Sequence, residues 1–335
     1  RRAREYALQS GVQISQLGRL RGGSASFYSD TQDTDALRTP VEHEFVERTR
    51  RDKRLFERPK SSLLVCQWNV NSITTHVEAR LNHIVRHKKP DVFCISELKN
   101  KWHEADCDTR WSRLTGYNVY HMESGCGKVA TAVRADLSAR QILTEPIWNQ
   151  QVDREIAALQ AGDETSTAET KLQIKDLRRK KIYVVLVEVW SKQEKWLIYN
   201  FYRSQGGTEG EGDEKRDIEG CSISRIQNFV DEIAESGRFS EHHILLTGDF
   251  NVHHTDWSSK TTNPGIRFND WRLARNLLLM NDGSTTRVGG QNHSHRTSPD
   301  VTLCSAVVEE EDWWVEDNEP GCSDHFAVFV LLRRE

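Results

Sequence analysis

A carboxylate and a carboxamide stand two residues apart in Gly248-Asp249-Phe250-Asn251, directly after the apolar run 244–246. Side chains two apart in a β-strand point to the same side, so Asp249 and Asn251 project together if the strand continues that far. Such a pair can accept a proton, bind a metal-bound water or hold a phosphate oxygen. An Asp/Asn turn at a strand end explains the same residues, so this motif alone leaves the function open.

Further polar clusters flank four other predicted strands. They are Asn69 and Asn71 after the run 63–68, Glu97 after 92–95, Asp300 before 301–304, and Ser323-Asp324-His325 before 326–332. Each cluster has a plain structural explanation, as turn residues, a surface acid or an ordinary loop. Together they supply the parts of a metal-assisted phosphodiesterase: hard oxygen ligands, amide donors and a histidine backed by a carboxylate.

The oxygen-bearing residues of these clusters are candidate metal ligands. Mg²⁺ prefers carboxylate and carbonyl oxygens and keeps several waters. Glu97, assisted by Asn69 or Asp324, suits that task. We therefore predict a Mg²⁺ site, at which Mn²⁺ is an alternative ion.

The remaining acids and the histidine predict acid–base roles. Negative charge grows on a phosphodiester during in-line attack, and a metal together with an imidazole can stabilise it. His325 fits this role, and Asp300 is the candidate carboxylate that orients its ring and favours its charged form. Asp249 would then orient or deprotonate the attacking water.

The elements that position these residues are long strands separated by few helices. Predicted helices include one opened by a capping box of Thr75 and Glu78, an amphipathic helix at 223–233, a charged helical excursion at 150–180 and a helix at 268–279. The Gly-rich segment 206–220 predicts a mobile loop. This pattern favours an α/β fold: a four-layer α/β sandwich in which two mostly antiparallel sheets pack face to face and are flanked by helices.

Composition limits the class of protein. The chain has 335 residues, of which 36% are hydrophobic and 29% charged, and it contains no apolar run long enough for a membrane span. Its seven cysteines form no CxxC pair, and Cys66, Cys94 and Cys304 fall inside apolar strands, which favours a reducing intracellular compartment. Residues 1–60 are basic and lack a sustained period, so we predict a tail or linker there and one catalytic domain at 61–335.

Six ordered motifs resemble those of the endonuclease/exonuclease/phosphatase superfamily, from about Leu63 to about Leu332. The motifs are Trp68-Asn69-Val70-Asn71, Cys94-Ile95-Ser96-Glu97, Tyr199-Asn200-Phe201-Tyr202, Gly248-Asp249-Phe250-Asn251, Ser298-Pro299-Asp300 and Ser323-Asp324-His325. The resemblance implies catalytic roles for His325, Asp249, Asn251, Tyr202 and Asp300, and metal-binding roles for Glu97, Asn69 and Asp324. Tyr202 would contact the scissile phosphate, although a core aromatic residue explains it equally when it is taken alone.

Within the superfamily, the stretch 249–257, Thr262-Asn263-Pro264-Gly265 and Asp300-Val301-Thr302-Leu303 are similar to the endonuclease domain of non-LTR retrotransposons. This likeness implies a nuclear enzyme that nicks duplex DNA. The freed 3′-hydroxyl would prime a reverse-transcriptase domain of the same polyprotein. Asn71 replaces the Asp usual in abasic-site enzymes, and no aromatic residue stands just before Asp300. Another superfamily phosphodiesterase, such as a repair endonuclease or an RNA exonuclease, and a non-catalytic nucleic-acid scaffold are the alternatives.

Candidate contacts to phosphate or DNA lie outside the catalytic group. They are Asn71, Ser323, Thr286, Arg287 and Arg296. The polar loop before Asp300 could read a groove, since Arg contacts guanine or enters a narrow minor groove; a solvated loop is the alternative. For the run 178–181, a solvated charge run is favoured over phosphate contacts.

Overall fold

Two six-stranded sheets form the framework of the protein. The computed structural model describes residues 62–98, 114–122, 128–143, 146–161, 167–191, 194–204, 207–209, 216–218, 220–289, 295–305, 311–316 and 322–332. The predicted tail at 1–60 and the domain boundary at 61 lie outside these residues and remain predictions.

The first sheet is built around the strand that carries the first motif. Its strands are β1 (Leu63–Asn69), β2 (Val92–Ser96), β3 (Tyr117–His121), β4 (Val129–Arg134), β15 (Glu311–Glu316) and β16 (Ala327–Leu332). Their order is β15-β16-β1-β2-β4-β3. Only β1 and β2 are parallel among these neighbours. Every residue of β1 is buried, as expected of a strand covered on both faces.

The second sheet repeats this arrangement. Its strands are β5 (Ser138–Leu143), β6 (Tyr183–Ser191), β7 (Glu194–Tyr202), β10 (His243–Asp249), β11 (Leu278–Leu279) and β14 (Asp300–Cys304). Their order is β11-β14-β10-β7-β6-β5, and only β7 and β10 are parallel neighbours. Each sheet thus has one parallel pair at its centre and four antiparallel pairs, which confirms the prediction of mostly antiparallel sheets.

Four short strands form two separate ribbons. One pairs β8 (Gly207–Glu209) with β9 (Arg216–Ile218), and the other pairs β12 (Arg287–Gly289) with β13 (His295–Thr297). The first ribbon lies within the segment 206–220, which was predicted as a loop. Backbone pairing therefore gives part of that segment regular structure.

Five α-helices complete the described part of the chain. They are α1 (Thr75–His83), which continues into a π-helical turn (Ile84–Lys88), α2 (Ile147–Ala161), α3 (Ala168–Arg179), α4 (Ile223–Glu235) and α5 (Asn263–Ala274). The excursion predicted at 150–180 is the pair α2 and α3. None of the described helices is both long and apolar enough to cross a membrane.

Two helix boundaries differ from the sequence-based predictions. The cap of α1 is Thr74, whose Oγ1 accepts a hydrogen bond from Val77 N, and not Thr75. Helix α5 starts at Asn263 because Thr262 caps it and Pro264 fits the first turn. It ends at Ala274, and 278–279 pair as β11, so the helix predicted at 268–279 was placed too late in the chain.

Apolar side chains fill the space between the sheets and the space under the helices. Between the sheets, Val65 and Cys94 of the first pack in one cluster with Val187 and Leu245 of the second. Beneath α4 and α5, a second cluster includes Trp257 together with rings from β7. The two buried faces produce the four-layer α/β sandwich that was predicted.

Candidate active site

Site residues from both sheets meet at one edge of the sandwich, where the central parallel strands end. Asn69 ends β1, Glu97 follows β2, Tyr202 ends β7 and Asp249 ends β10. The carboxyl ends of parallel neighbours lie at the same edge of a sheet. A hydrogen bond joins the two sheets there, since Asn69 Nδ2 donates to Asp249 Oδ2 over 2.8 Å. Motifs that are far apart in the sequence thus come together.

A buried histidine lies between two carboxylates at this edge. His325 Nδ1 is 2.8 Å from Asp300 Oδ2, and His325 Nε2 is 3.8 Å from Asp249 Oδ2. Asp300 also accepts hydrogen bonds from Gln67 Nε2, at 3.0 Å, and from Thr286 Oγ1, at 2.6 Å. An ionised carboxylate only accepts hydrogen bonds, so His325 Nδ1 donates to Asp300 and Nε2 faces Asp249.

Burial and neighbouring charges shift the pKa values of this group. Burial raises the pKa of Asp249 above its usual range, and Asp300 and Glu97 add to the rise while His325 opposes it. Burial would lower the pKa of His325, but Asp300, Asp249 and Asp324 together raise it to about 9. At neutral pH the imidazole therefore carries a proton, and Asp249 is a better proton acceptor than a surface carboxylate.

The pair Asp249 and Asn251 forms a turn of its own. Asn251 N donates to Asp249 Oδ1 over 2.9 Å, and Asn251 Nδ2 donates to Arg203 O over 2.8 Å. Asn251 has a left-handed backbone, with φ of 49°. The strand therefore ends at Asp249, and the pairing of the two side chains arises from this turn and not from strand alternation.

The turn of the last motif is tied to the end of β1. Ser323 Oγ donates to Asn69 O over 2.6 Å and accepts from His325 N at 3.0 Å. Trp68 Nε1 donates to His325 O over 2.9 Å. Ser323, predicted as a phosphate contact, thus holds the backbone that carries His325, and its contact with phosphate remains a prediction.

Asp324 accepts hydrogen bonds on both carboxylate oxygens. Asn71 Nδ2 lies 2.7 Å from Oδ1, and Arg287 Nε lies 2.8 Å from Oδ2. Burial would raise the pKa of Asp324, but His325, Arg287 and Asn71 lower it. Asp324 is therefore ionised and held in place, with Asn71 and Arg287 as its neighbours.

The residues predicted to contact DNA before Asp300 separate into two groups. Thr286 is buried and donates to Asp300, and Arg287 on β12 pairs with Asp324, so both belong to the site's internal hydrogen bonds. Arg296 on β13 is exposed. The tip of this ribbon, 290–294, lies outside the described residues.

Tyr202 and Glu97 lie on the other side of the site. Burial raises the pKa of Tyr202, and the negative charges of Glu97 and Asp249 add to that rise. A hydrogen bond with Glu97 also raises it, so the hydroxyl stays protonated and donates. Glu97 N donates to Lys128 O, at 2.6 Å, and Glu97 O accepts from Ser72 N, at 2.9 Å. Both backbone groups of Glu97 are thus fixed.

Sequence reasoning missed Arg203, which organises the turn after β10. Its Nε donates to Cys221 O over 2.6 Å, and its Nη1 lies 3.3 Å from Phe250 O and 3.2 Å from Asn251 O. The residue is 9% exposed. Its one signal in the sequence was a cation directly after Tyr202. Gln67 was also missed, and its signal was a polar residue inside an apolar run.

Backbone strain is concentrated at the site. Six described residues other than glycine have positive φ, and four of them are Asn71, Ser72, Glu97 and Asn251. Left-handed backbone costs free energy for such residues and clusters at functional sites. Gly248 has φ of 142°, and a Cβ there would lie 2.0 Å from Phe201 O, so the position before Asp249 requires glycine.

The donor set fits a hard divalent cation. Glu97 and Asp324 offer carboxylate oxygens and Asn69 an amide oxygen, which Mg²⁺ prefers. Glu97 and Asp300 raise the pKa of Asp249, and this like-charge repulsion is what a cation would offset. Ligand atoms of Asp249, Asp300 and His325 also lie within 4.8 Å of one another. Those three are accounted for by their mutual hydrogen bonds and ion pairs, and Glu97, Asn69 and Asp324 remain the predicted ligands.

Comparisons with known proteins agree with this fold. Residues 196–329 match a family model described as "Endonuclease-reverse transcriptase". No curated protein sequence matches the chain significantly. The endonuclease domain of TRAS1, a telomere-specific non-LTR retrotransposon, has the same fold, with a TM-score of 0.52, 17% identity, and coverage of 81% of this chain and 98% of that chain.

Two further solved structures are similar. An AP endonuclease from Archaeoglobus fulgidus is 15% identical, with a TM-score of 0.48 and coverage of 81% of this chain and 99% of that one. Truncated Caenorhabditis elegans TDP2 is 12% identical, with a TM-score of 0.49 and coverage of 81% and 97%. The family match over residues 196–329 and the shared fold support the predicted endonuclease/exonuclease/phosphatase superfamily.

Proposed function

We propose that this chain is a Mg²⁺-dependent endonuclease that nicks one strand of duplex DNA and leaves a 3′-hydroxyl. The observation that carries the proposal is the protonated His325 held between Asp300 and Asp249, at the same edge as Glu97 and Asn69. This arrangement brings together an imidazolium, a proton acceptor and the proposed metal ligands. A phosphodiester needs all three for in-line hydrolysis.

Each side chain has a defined task in this mechanism. Asp249 takes a proton from the attacking water, which the amide of Asn251 helps to orient. As the water oxygen bonds to phosphorus, the bond from phosphorus to the 3′-oxygen breaks, and that oxygen takes a proton from solvent to become the 3′-hydroxyl. His325 stabilises the charge that grows on the phosphate oxygens, and Asp300 keeps its ring charged and aligned. Tyr202 donates its hydroxyl hydrogen to the scissile phosphate, since its raised pKa keeps it protonated.

The cation would be held by Glu97, Asn69 and Asp324. When bound, Mg²⁺ supplies electrostatic stabilisation of the phosphate and of the leaving oxygen. Mn²⁺ has similar ligand preferences and is the expected substitute.

The wider role follows from the family description and the fold. A model described as "Endonuclease-reverse transcriptase" and the fold of a retrotransposon endonuclease support a source in a non-LTR retrotransposon. The 3′-hydroxyl would then prime reverse transcription by another domain of the same polyprotein. Its target DNA would make it a nuclear enzyme.

A plasmid relaxation assay tests the activity. Supercoiled plasmid should become open circular with Mg²⁺ and stay closed with a chelator, and Glu97→Ala and His325→Ala should abolish nicking. A DNA polymerase should extend the nicked strand without prior phosphatase treatment if the end is a 3′-hydroxyl. Plasmid that survives intact at excess enzyme contradicts the proposal. Cleavage confined to plasmid with abasic sites would indicate a repair enzyme instead.

A further inference from the structure

We propose that α3 binds the phosphate backbone of the nucleic acid beside the cleavage site, an inference that rests on the proposed function and extends it. A cleft of about 460 Å³ opens next to Tyr202 and has no acidic residue in its described lining. Its cations are Lys128, Lys171, Lys175, Arg178 and Arg179. Five positive charges around one cleft attract a polyanion, and phosphates are the anion class that this site cleaves.

The helical cations lie on one face of α3. Lys171, Lys175, Arg178 and Arg179 recur at i, i+4, i+7 and i+8, and residues at these spacings share a face. The structure therefore divides the basic run 178–181, which sequence analysis treated as one solvated stretch. Lys181 is 6% exposed and pairs with Asp153, so it is not part of the cleft.

The basic face is held rigidly against the second sheet. The Asn149 side chain of α2 makes two hydrogen bonds with Ile182, accepting from its N at 2.9 Å and donating to its O at 2.7 Å. Tyr183 donates its hydroxyl hydrogen to Arg178 O over 2.9 Å. Ile174 packs against Val152 of α2. A binding face that is fixed in advance loses less conformational entropy when a ligand binds.

Lys128 connects this face to the candidate active site. Its Nζ lies 5.7 Å from the ring centroid of Tyr183 and 5.7 Å from that of Tyr202, between the two tyrosines. Its carbonyl accepts from Glu97 N. A strand whose scissile phosphate lies at Tyr202 thus meets the cations of this cleft on leaving the site. Binding of an acidic protein would not require the cleft to adjoin the candidate active site.

Binding without cleavage tests the inference. The triple variant Lys175→Gln/Arg178→Gln/Arg179→Gln would be made in the full chain with His325→Ala. Its matched control is Arg154→Gln/Lys195→Gln/Arg238→Gln, which removes three charges from outside the cleft. Anisotropy with a labelled duplex across a salt series should show affinity at low salt about 10- to 100-fold lower for the first triple, and a log–log salt slope shallower by about 2 to 3. The control should change little.

Equal losses in the two triples, or an unchanged slope in the first, would overturn the inference. A second measurement uses the unmutated chain: DNA should protect Lys171 and Lys175 from acylation but not Lys195, and equal reactivity also counts against it. Competition by polyglutamate as strong as that by duplex would point to an acidic protein and overturn it. Failure of the plasmid assay with the binding results intact would remove only the proposed cleavage. If the plasmid is cleaved normally and the first triple variant binds DNA as tightly as its parent, only the proposed role of α3 is contradicted.

Discussion

His325 and His242 are both buried beside carboxylates, but at opposite ends of the second sheet. Strand β10 runs from His243 to Asp249 and separates them by roughly 20 Å. His242 Nε2 lies 2.7 Å from Glu188 Oε1, and Arg140 pairs with the other oxygen of Glu188. One carboxylate there faces an imidazole and a guanidinium.

The charge balance differs at the candidate active site. There, Asp249, Asp300 and Asp324 all act on His325, and the pKa of Asp249 is raised. Burial would raise the pKa of Glu188, but His242 and Arg140 lower it. In the cluster of Glu188, His242 and Arg140, the positive and negative groups are paired, and we call it the balanced cluster. The candidate active site instead retains an excess of buried negative charge and a strained backbone. Both features cost stability and are typical of sites that bind a ligand or carry out a reaction.

The largest expected difference comes from exchanging each histidine for glutamine. His325→Gln should lower the nicking rate by about 10²- to 10⁴-fold, because glutamine carries no positive charge to stabilise the developing negative charge. His242→Gln should leave the rate within about threefold, because it lies outside the site. Single-turnover nicking of plasmid measures both. A similar loss of nicking rate in the two variants would contradict the assignment of the active site to the end of the sheet that holds His325.

A matched pair of glutamates tests the metal assignment. Glu97→Gln should raise the Mg²⁺ concentration for half-maximal nicking about 10- to 100-fold, because it removes a charged oxygen ligand. Glu194→Gln, whose glutamate binds His243 at the other end, should leave that concentration unchanged. A magnesium titration of nicking reads both. If the half-maximal Mg²⁺ concentration is unchanged in Glu97→Gln, Glu97 is not a ligand of the cation.

The pH profile of nicking should be bell-shaped. Burial raises the pKa of Asp249 to about 7, and activity needs its ionised form, so kcat/KM falls as the pH drops below that value. The pKa of His325 is raised to about 9, and activity needs its protonated form, so kcat/KM falls as the pH rises above that value.

Asp300→Asn should move the alkaline limb to lower pH, and the acidic limb in the same direction by less, because Asp300 raises the pKa of His325 and also that of Asp249. Asp300 contributes most to raising the pKa of His325, so neutralising Asp300 lowers that pKa. The alkaline limb should therefore shift to lower pH by about one unit or more. The profile of the variant, measured beside that of the parent, checks this. An alkaline limb that stays in place would mean that His325 is not the group responsible.

The smallest effect is expected from a substitution in the balanced cluster, and it should appear in the stability of the protein. Glu188→Gln should lower the free energy of unfolding by about 1 kcal/mol at neutral pH, because it weakens two contacts of a buried carboxylate, one to His242 and one to the half-exposed Arg140. The folded pKa of Glu188 is lowered, so its contribution is present above the unfolded pKa of about 4.3 and is lost as pH falls through the folded pKa. Urea unfolding of parent and variant at several pH values measures this. A difference that persists in acid would argue against the ion pair.

The sequence by itself was sufficient for the framework. Largely apolar runs predicted β1, β2 and β10, because strands covered on both faces are built mostly of apolar residues. The polar residues at the ends of those runs identified most of the candidate site. Helix bounds were less certain: α5 was placed late because its N-cap at Thr262 was not used as a signal.

Only the tertiary structure decided which polar groups meet. Gln67 and Thr286 contact Asp300 from separate elements, and Arg203 binds three carbonyls on two segments that are far apart in the sequence, so no local pattern could reveal them. For the basic face of α3, the sequence likewise showed only that the segment is rich in positive charge. Its direction toward Tyr202 depends on the packing of α2 and α3 against β6, since side-chain spacing fixes a helical face but not the surface that the face meets.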